Sequence, residues 1–178
     1  MDPLKNLSED LAAHIREIPD WPKKGIHFYD ITTLLSDAGA FRRAVDGLAA
    51  PFVDKGVDIV VSVEARGFIF GGALAHALGA GFVPARKPGK LPYDKIRVDY
   101  ALEYGTDAIE MHRDAIKPGQ RVLIFDDVLA TGGTVAATAE LVQRLGGDIV
   151  SVAFLSELAF LNGRERLKGL DVFSLIKY

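Results

Sequence analysis

The sequence of 178 residues contains no cysteine, so disulfide bonds and thiolate metal sites are excluded. Long apolar runs are missing too, because the longest, such as residues 57–63, fall far short of the ~20 residues that a membrane span needs. The N-terminal segment 1–16 is acidic and amphipathic and lacks the basic start and apolar centre of a signal peptide. These absences predict a cytoplasmic protein that makes no membrane contact.

The sequence also has no large excess of basic or acidic residues. Its 21 Lys and Arg residues nearly balance 24 Asp and Glu residues, which leaves a formal net charge of −3. Such a balance argues against a surface built mainly for nucleic acid or anionic lipid. A hydrophobic fraction of 49% with 25% charged residues is typical of a globular protein. The length suits one domain, so we expect a single domain over residues 1–178 and no nucleic-acid partner.

Helical periodicities alternate with short β-branched runs through most of the chain. Strands are predicted at residues 57–63, 82–85, 122–125, 149–155 and 172–176, and helices at 4–18, 41–52, 68–78 and 134–145. Ser36 or Asp37 can cap the second of these helices. The alternation predicts βαβ units and therefore an α/β fold, whose central, mainly parallel sheet is covered by helices on both faces.

The segment 86–104 interrupts this alternation, because it is long, polar and of mixed periodicity. Loops of that length inside a compact domain often act as lids or binding loops. The alternative is an edge hairpin with a mobile tip, and the two interpretations are compatible.

The stretch 122–134 is the most informative part of the sequence. A buried strand runs into two adjacent carboxylates and then into a loop of small residues that opens a helix. In an open parallel sheet, ligands bind beyond the carboxyl ends of the strands, where this loop would lie. Its backbone N–H groups and the helix N-terminus can surround a phosphate dianion. The residues expected to do so are Ala130, Thr131, Gly132, Gly133 and Thr134.

The loop contains no lysine and matches neither the spacing of nucleotide triphosphatases nor that of dinucleotide-binding proteins. The adjacent Asp126 and Asp127 are costly at a strand end unless they serve a polyhydroxyl ligand or a cation. Ribose hydroxyls and Mg²⁺ both qualify. Helix capping or a salt bridge is the alternative role for this pair.

Residues 122–134 closely resemble the phosphoribosyl-pyrophosphate loop of the type I phosphoribosyltransferase family, and residues 129–134 resemble its adenine-specific form. Further blocks match in order and spacing, at 25–31, 65–71, 86–92, 102–105 and 158–167. The resemblance implies a parallel sheet flanked by helices, a small N-terminal hood within residues 1–34, a flexible lid loop at about 87–104, and commonly a homodimer. It also implies transfer of the phosphoribosyl group of phosphoribosyl pyrophosphate to N9 of adenine. The products would be AMP and pyrophosphate, as in purine salvage, with Mg²⁺ carried mainly by the pyrophosphate.

The resemblance places the pyrophosphate loop at Arg66, directly after the strand 57–63. Backbone N–H groups and the guanidinium fork would hold the leaving group there, and the peptide between Glu64 and Ala65 would be the site of a cis bond. Three further cations follow the next strand, namely Arg86, Lys87 and Lys90. Alone, such a cluster could equally be a solvated basic face, but beside a pyrophosphate site we expect it to bind substrate.

Proton transfer at the imidazole ring of adenine needs an acid–base group. Related enzymes for hypoxanthine tend to carry Asp where this loop has Ala130, which cannot transfer a proton. The resemblance assigns the role to Glu103, on the returning arm of the lid, and the alternative for Glu103 is an ordinary surface carboxylate. Tyr104 would orient substrate or close the lid.

The purine would lie between the hood and Leu158 by the same resemblance. The hood residues are Ile26, His27, Phe28 and Tyr29, and backbone groups of an extended hood strand could read N6 and N1 of adenine. His27 stands where an aliphatic residue is expected and Tyr29 where a basic residue is common, so base stacking should differ in detail. The remaining alternatives are a transferase for another purine and a non-enzymatic sensor of phosphoribosyl pyrophosphate. A sensor would usually add a nucleic-acid-binding surface or domain, and this chain has neither extra length nor a strong basic excess.

Overall fold

Five parallel strands form the central sheet of the computed structural model, which describes residues 3–101 and 105–178. The elements are α1 (Pro3–Ala12), β1 (Arg16–Ile18), β2 (Phe28–Asp30), α2 (Thr32–Ser36), α3 (Ala38–Ala49), β3 (Ile59–Val63), α4 (Gly67–Leu78), β4 (Gly81–Ala85), β5 (Lys95–Ala101), β6 (Thr106–His112), β7 (Arg121–Leu129), α5 (Gly133–Arg144), β8 (Asp148–Glu157) and β9 (Val172–Lys177). Short 3₁₀ turns lie at Ala50–Phe52, Ala159–Leu161 and Gly163–Leu167.

The order of the sheet is β4-β3-β7-β8-β9, and every neighbouring pair is parallel. From β3 the chain winds to one edge through β4, whereas from β7 it winds to the other edge through β8 and β9. The winding therefore reverses between β3 and β7, which is the point where open α/β sheets bind their ligands. The predicted parallel α/β fold is confirmed.

Helices cover both faces of the sheet, as predicted, because alternate side chains of each strand enter different cores. In β7, Leu123 and Phe125 pack into the core formed with α1, α3 and α4, where Phe70 and Leu74 are fully buried. Val122 and Ile124 face the opposite core, formed mainly with α5 and the β5–β6 hairpin. No described helix has the length and apolarity needed to cross a membrane.

The first predicted helix, 4–18, is too long. The α-helix ends at Ala12, and β1 pairs antiparallel with β2, so that Ile18 lies opposite Phe28. The apolar residues at 15 and 18 suit either structure locally, and pairing with a distant strand decided between them. At the second helix, the Asp37 side chain accepts from the Ala40 N–H at 2.7 Å, which confirms Asp37 as the cap, whereas Ser36 bonds the Thr33 carbonyl.

The irregular segment 86–104 contains one arm of a hairpin. Strand β5 pairs with β6 over its whole length, with Lys95 opposite His112 and Ala101 opposite Thr106. The hairpin alternative is therefore confirmed for residues 95–101. Buried Val98, Ile109 and Met111 pack the hairpin against the core beside α5.

A bidentate ion pair fixes the chain after β8. Arg164 Nε and Nη2 donate to the two carboxylate oxygens of Glu157 at 2.7 and 2.8 Å, and Glu157 is only 6% exposed. Arg164 also donates to the Val172 carbonyl at 3.1 Å and so reaches β9. The pair encloses residues 158–163, a segment that reaches the functional site described below.

We expect Glu157→Gln to lower the free energy of unfolding at neutral pH by about 1–2 kcal/mol, because it weakens charge-assisted bonds to a partly exposed arginine. Hydrogen bonding to Arg164 lowers the pKa of Glu157, although burial opposes this. The contribution is therefore complete above the unfolded-state pKa of about 4.3 and is lost as the pH falls through the folded-state value. Urea unfolding at about pH 7 and about pH 3 should show the two proteins converging at the lower pH.

Glu165→Gln is the matched control, since Glu165 pairs with Lys168 at 2.5 Å in the same segment but its side chain is 66% exposed. Its effect should stay within about 0.5 kcal/mol. Equal losses for the two variants would contradict a special contribution from the Glu157–Arg164 pair.

Candidate active site

A cleft of about 420 Å³ opens at the carboxyl ends of β3 and β7, where the winding of the sheet reverses. Most of the residues singled out in the sequence as phosphate and sugar ligands line it. They are Arg66, Lys87, Asp126, Asp127, Ala130, Thr131, Gly132, Gly133 and Thr134, joined by Glu64, Ala65 and Val128 among others. Two strand ends and the start of one helix thus enclose a single polar cavity.

The loop 130–134 is shaped by glycine at two positions. Gly132 has a φ of +79°, and a Cβ there would come within 2.5 Å of the Gly163 carbonyl oxygen. A Cβ on Gly133, the first residue of α5, would lie 3.0 Å from the Arg166 guanidinium. The loop is therefore pressed between the cleft on one side and the 3₁₀ turn at Gly163–Leu167 on the other.

The adjacent carboxylates differ in their partners. Asp127, only 6% exposed, accepts from Arg66 Nε at 2.8 Å, and the Asp127 N–H donates to Asp126 Oδ1 at 2.9 Å. Desolvation raises the pKa of the Asp126 carboxyl well above its ordinary value, and the nearby Asp127 charge raises it further. Desolvation also raises the pKa of Asp127, although Arg66 opposes that shift. The salt-bridge alternative is thus present at Asp127, but its partner is itself a residue of the cleft.

Arg66 connects this cleft to a second cavity. It follows the cis peptide bond between Glu64 and Ala65, which occurs where the resemblance implied it. Its guanidinium carbon lies 5.3 Å from the centre of the Phe28 ring, a cation–π contact with the hood. One side chain therefore contacts a carboxylate of the cleft and an aromatic ring of the hood.

The cluster of cations after β4 is divided by the structure. Lys87 lines the cleft, and its ammonium is bonded to Asp107 and Tyr100. Arg86 instead donates to Glu64 at 3.1 Å, and neither Arg86 nor Lys90 lines the cleft. Burial opposes ionisation of Glu64, but the Lys87 N–H and Arg86 outweigh it and lower the Glu64 pKa.

The second cavity, of about 90 Å³, lies beneath the hood and shares Arg66, Asp127, Val128 and Ala130 with the cleft. Its other lining residues are His27, Phe28, Tyr29, Ile31, Ser156 and Leu158. Two apolar side chains, from Phe28 and Leu158, are thus brought to one slot from distant parts of the chain.

Ile26 is the one predicted hood residue that does not line this slot. Its N–H donates to the Lys23 carbonyl and its carbonyl accepts from the Trp21 N–H, both at 3.1 Å, so a local turn uses both backbone groups. His27 is bonded through Nδ1 to the Glu17 carboxylate on the paired strand. The Tyr29 ring stacks on Tyr178 with centres 3.9 Å apart, so the hood is held by contacts that no local sequence pattern indicated.

Glu103 and Tyr104 lie outside the described residues, so their predicted roles remain predictions. Across residues 3–101 and 105–178 no cluster of three or more His, Asp or Glu side chains suited to a metal ion occurs. Tyr100, Asp107 and Glu64 were missed in the sequence. They contact site residues across a strand register or from an adjacent loop, and only tertiary pairing reveals those contacts.

Comparisons with known proteins agree with this geometry. The phosphoribosyl transferase domain family matches residues 32–169. The adenine phosphoribosyltransferase of Acidobacterium capsulatum is 56% identical over 179 aligned residues, covering 100% of this chain and 99% of that one. That of Alkaliphilus metalliredigens is 61% identical over 169 residues, covering 95% and 99%.

Solved structures agree as well. The crystal structure of adenine phosphoribosyltransferase from Thermoanaerobacter pseudethanolicus superposes with a TM-score of 0.93 at 55% identity, covering 96% of this chain and 99% of that chain. The enzyme from Saccharomyces cerevisiae superposes at 0.90 with 39% identity, covering 96% and 99%. The chain therefore belongs to the phosphoribosyl transferase family and, within it, to the adenine phosphoribosyltransferases.

Proposed function

We propose that the chain transfers the 5-phosphoribosyl group of phosphoribosyl pyrophosphate to N9 of adenine and releases AMP and pyrophosphate. The observation that carries this proposal is the pair of connected cavities. A polar cleft with a phosphate loop shares Arg66, Asp127, Val128 and Ala130 with a mainly apolar slot beneath the hood. The yeast relative was solved with an imino-sugar bisphosphate and adenine, and the Giardia lamblia relative with 9-deazaadenine.

The loop 130–134 holds the 5′-phosphate in this proposal. The N-terminus of α5 begins at Gly133, and its unsatisfied N–H groups and partial positive charge favour a dianion. The hydroxyls of Thr131 and Thr134, both on the cleft, supply further donors.

Breaking the bond between ribose C1 and pyrophosphate creates positive charge on the sugar and negative charge on the leaving group. Arg66 and Lys87 face the cleft and stabilise the leaving pyrophosphate, while Asp126 and Asp127 bind ribose hydroxyls and lie near the developing cation.

Arg86 acts indirectly, because it orients the Glu64 side chain beside the cis peptide. Lys90 lies nearby, since the Lys90 carbonyl accepts from Arg86 at 3.5 Å.

The carboxylates of this site fit a Mg²⁺ ion that enters bound to the pyrophosphate of the substrate. Burial opposes ionisation of both Asp126 and Asp127, and the Asp127 charge opposes it further at Asp126, so a neighbouring cation would relieve both. Protein sites commonly hold Mg²⁺ through one or two carboxylates together with substrate phosphates. When bound, Mg²⁺ would neutralise charge on the departing pyrophosphate.

The purine lies between Phe28 and Leu158 in the second cavity. Backbone groups of the hood read N6 and N1 of adenine, and a base lacking that donor–acceptor pair would leave buried partners unmatched. Ile26 is not among these groups, since it does not line the slot and its N–H already donates to the Lys23 carbonyl. Ala130 leaves the purine side of the loop without an acid, which favours adenine over the hypoxanthine alternative.

Glu103 supplies the acid–base group in this proposal. The residues on either side of 102–104 lie at the end of the hairpin, where Ala101 pairs with Thr106. Arg166 donates to the Ala101 carbonyl at 3.3 Å and also lies against Gly133. Ala101, the last described residue before this segment, therefore lies near the phosphate loop, and we propose residues 87–104 as the lid. We further propose a cytoplasmic homodimer.

The direct test is incubation of the protein with adenine, Mg²⁺ and phosphoribosyl pyrophosphate, with AMP and pyrophosphate measured. Hypoxanthine and guanine are the competing bases. Adenine turnover should exceed both strongly, because a site that pairs with N6 and N1 discriminates by roughly 10⁴-fold. Equal turnover of hypoxanthine would contradict adenine specificity and favour a transferase for another purine. Absence of product with every base would overturn the proposal.

Glu103→Gln should lower kcat by about 10²-fold or more with little change in KM for either substrate, since the variant keeps the shape but loses proton transfer. Steady-state kinetics measure both constants. Glu165→Gln, exposed and outside both cavities, is the control and should behave like the wild type. If Glu103→Gln kept normal turnover, the acid–base assignment would be withdrawn.

Asp126→Asn should reduce kcat/KM by roughly 10–100-fold, the loss expected for one charge-assisted hydrogen bond to ribose. The same variant should stabilise the free protein at neutral pH. The folded state keeps Asp126 protonated above the unfolded-state pKa of about 3.9, so wild-type stability falls as the pH rises from there through the raised pKa. Asparagine removes that slope.

Thermal unfolding of both proteins from about pH 4 to about pH 8 measures this difference. Asp54→Asn is the control, because Asp54 is exposed and lines neither cavity. Parallel wild-type and Asp126→Asn curves over this range would show that the carboxylate pair carries no strain in the free enzyme.

A further inference from the structure

The hydroxyl of Tyr100 contacts polar groups from three different parts of the chain. Lys87 Nζ lies 2.9 Å away, Thr134 Oγ1 lies 3.0 Å away, and Asp107 Oδ2 lies 3.2 Å away. Asp107 is directly opposite Tyr100 in the β5–β6 hairpin, and it is also bonded to Lys87. Lys87 and Thr134 line the cleft, whereas Tyr100 lines neither cavity.

The hydrogen-bonding capacities of these groups determine which of them donates and which accepts in each bond to the Tyr100 hydroxyl. An ammonium only donates, so the Tyr100 oxygen accepts from Lys87. An ionised carboxylate only accepts, so the single Tyr100 proton goes to Asp107, and Thr134 donates to Tyr100. Hydrogen bonding to Lys87 lowers the pKa of Asp107 in spite of burial, which is consistent with an ionised carboxylate. One phenol hydroxyl thereby holds two side chains that line the cleft, one following β4 and one in the loop 130–134.

A phosphate bound in the loop would compete for the Thr134 proton. That hydroxyl has one proton, so it cannot donate to a phosphate oxygen and to Tyr100 together. Once Thr134 donates to the phosphate instead, its oxygen is free to accept a hydrogen bond from Tyr100. Thr134 then replaces Asp107 as the acceptor of the Tyr100 hydroxyl. Because Asp107 and Tyr100 also accept from Lys87, a change of partner at Thr134 alters the hydrogen bonding of the groups that hold Lys87.

The Tyr100 ring is held well enough to act as a support. A Cβ on Gly133 would lie 3.3 Å from the ring, so the aromatic face packs against the start of α5. The ring is partly buried against the core beside α5, and the Lys87 ammonium lies 5.5 Å from its centre. The position of the hydroxyl is therefore set by packing as well as by hydrogen bonds.

We propose that Tyr100 is a positioning residue that joins Lys87, on the pyrophosphate side, to Thr134, on the 5′-phosphate side, so that both ends of the substrate meet one organised unit. The inference rests on the proposed function, in which these two residues contact phosphoribosyl pyrophosphate. Tyr100 itself touches no reacting atom and acts through its partners.

Tyr100→Phe tests this, because it keeps the ring and removes only the hydroxyl. We expect KM for phosphoribosyl pyrophosphate to rise about tenfold, while KM for adenine changes less than about twofold and the melting temperature stays near that of the wild type. Ser36→Ala is the control, since it also removes one hydroxyl, and Ser36 is exposed and lines neither cavity. It should leave all three quantities unchanged.

A second measurement separates positioning from general support. If Tyr100 acts through Lys87, the loss in Lys87→Met/Tyr100→Phe should be smaller than the product of the two single losses. The inference would be overturned if the loss in the double variant equalled the product of the two single losses. An unchanged KM in Tyr100→Phe would also overturn it. So would a parallel rise in KM for adenine or a large fall in melting temperature. If the wild type formed no AMP, the proposed function would fail instead, so the two failures are distinguishable.

Discussion

Parallel pairing of β3 with β7, in a register from Ile59 opposite Val122 to Ser62 opposite Phe125, brings together two strand ends that belong to opposite windings of the sheet. Beyond those ends the chain must turn, and no neighbouring crossover fills the space between the two turns. The cleft exists because of this arrangement. Arg66 follows β3 and Asp127 lies near the end of β7, and their ion pair stands where the cleft adjoins the cavity beneath the hood.

The chemistry of the cleft follows from charges that the free protein satisfies only in part. Desolvation raises the pKa of both Asp126 and Asp127, and the charge of Asp127 raises the pKa of Asp126 further. At Lys87 the charged form is favoured instead. Burial alone would lower the Lys87 pKa, but hydrogen bonds to Asp107 and Tyr100 outweigh it and raise that pKa. A ligand with hydroxyls at one place and phosphates at the others satisfies this uneven distribution better than water does, and phosphoribosyl pyrophosphate is such a ligand.

The two small antiparallel units show where local patterns were insufficient. Residues 16–18 carry apolar spacing that fits a helix, yet they pair with β2 to build the hood. Residues 95–101 looked irregular because their partner strand, Thr106–His112, lies outside the segment 86–104. Strand pairing depends on residues distant in sequence, so neither unit could be derived from its own segment. The parallel strands and Asp37, in contrast, were predictable, since burial on both faces and an N-cap leave clear local patterns.

The sequence by itself determined the strand–loop–helix unit of the proposed phosphate loop, because strand, carboxylates, turn glycines and helix start are consecutive in 122–134 and need only local geometry. Only the tertiary structure decided which cation faces the cleft, that Tyr100 joins Lys87 to Thr134, and that Phe28 meets Leu158. The physical reason is that these contacts depend on strand register and on side-chain direction after folding. Neither is encoded in the spacing of residues along one segment.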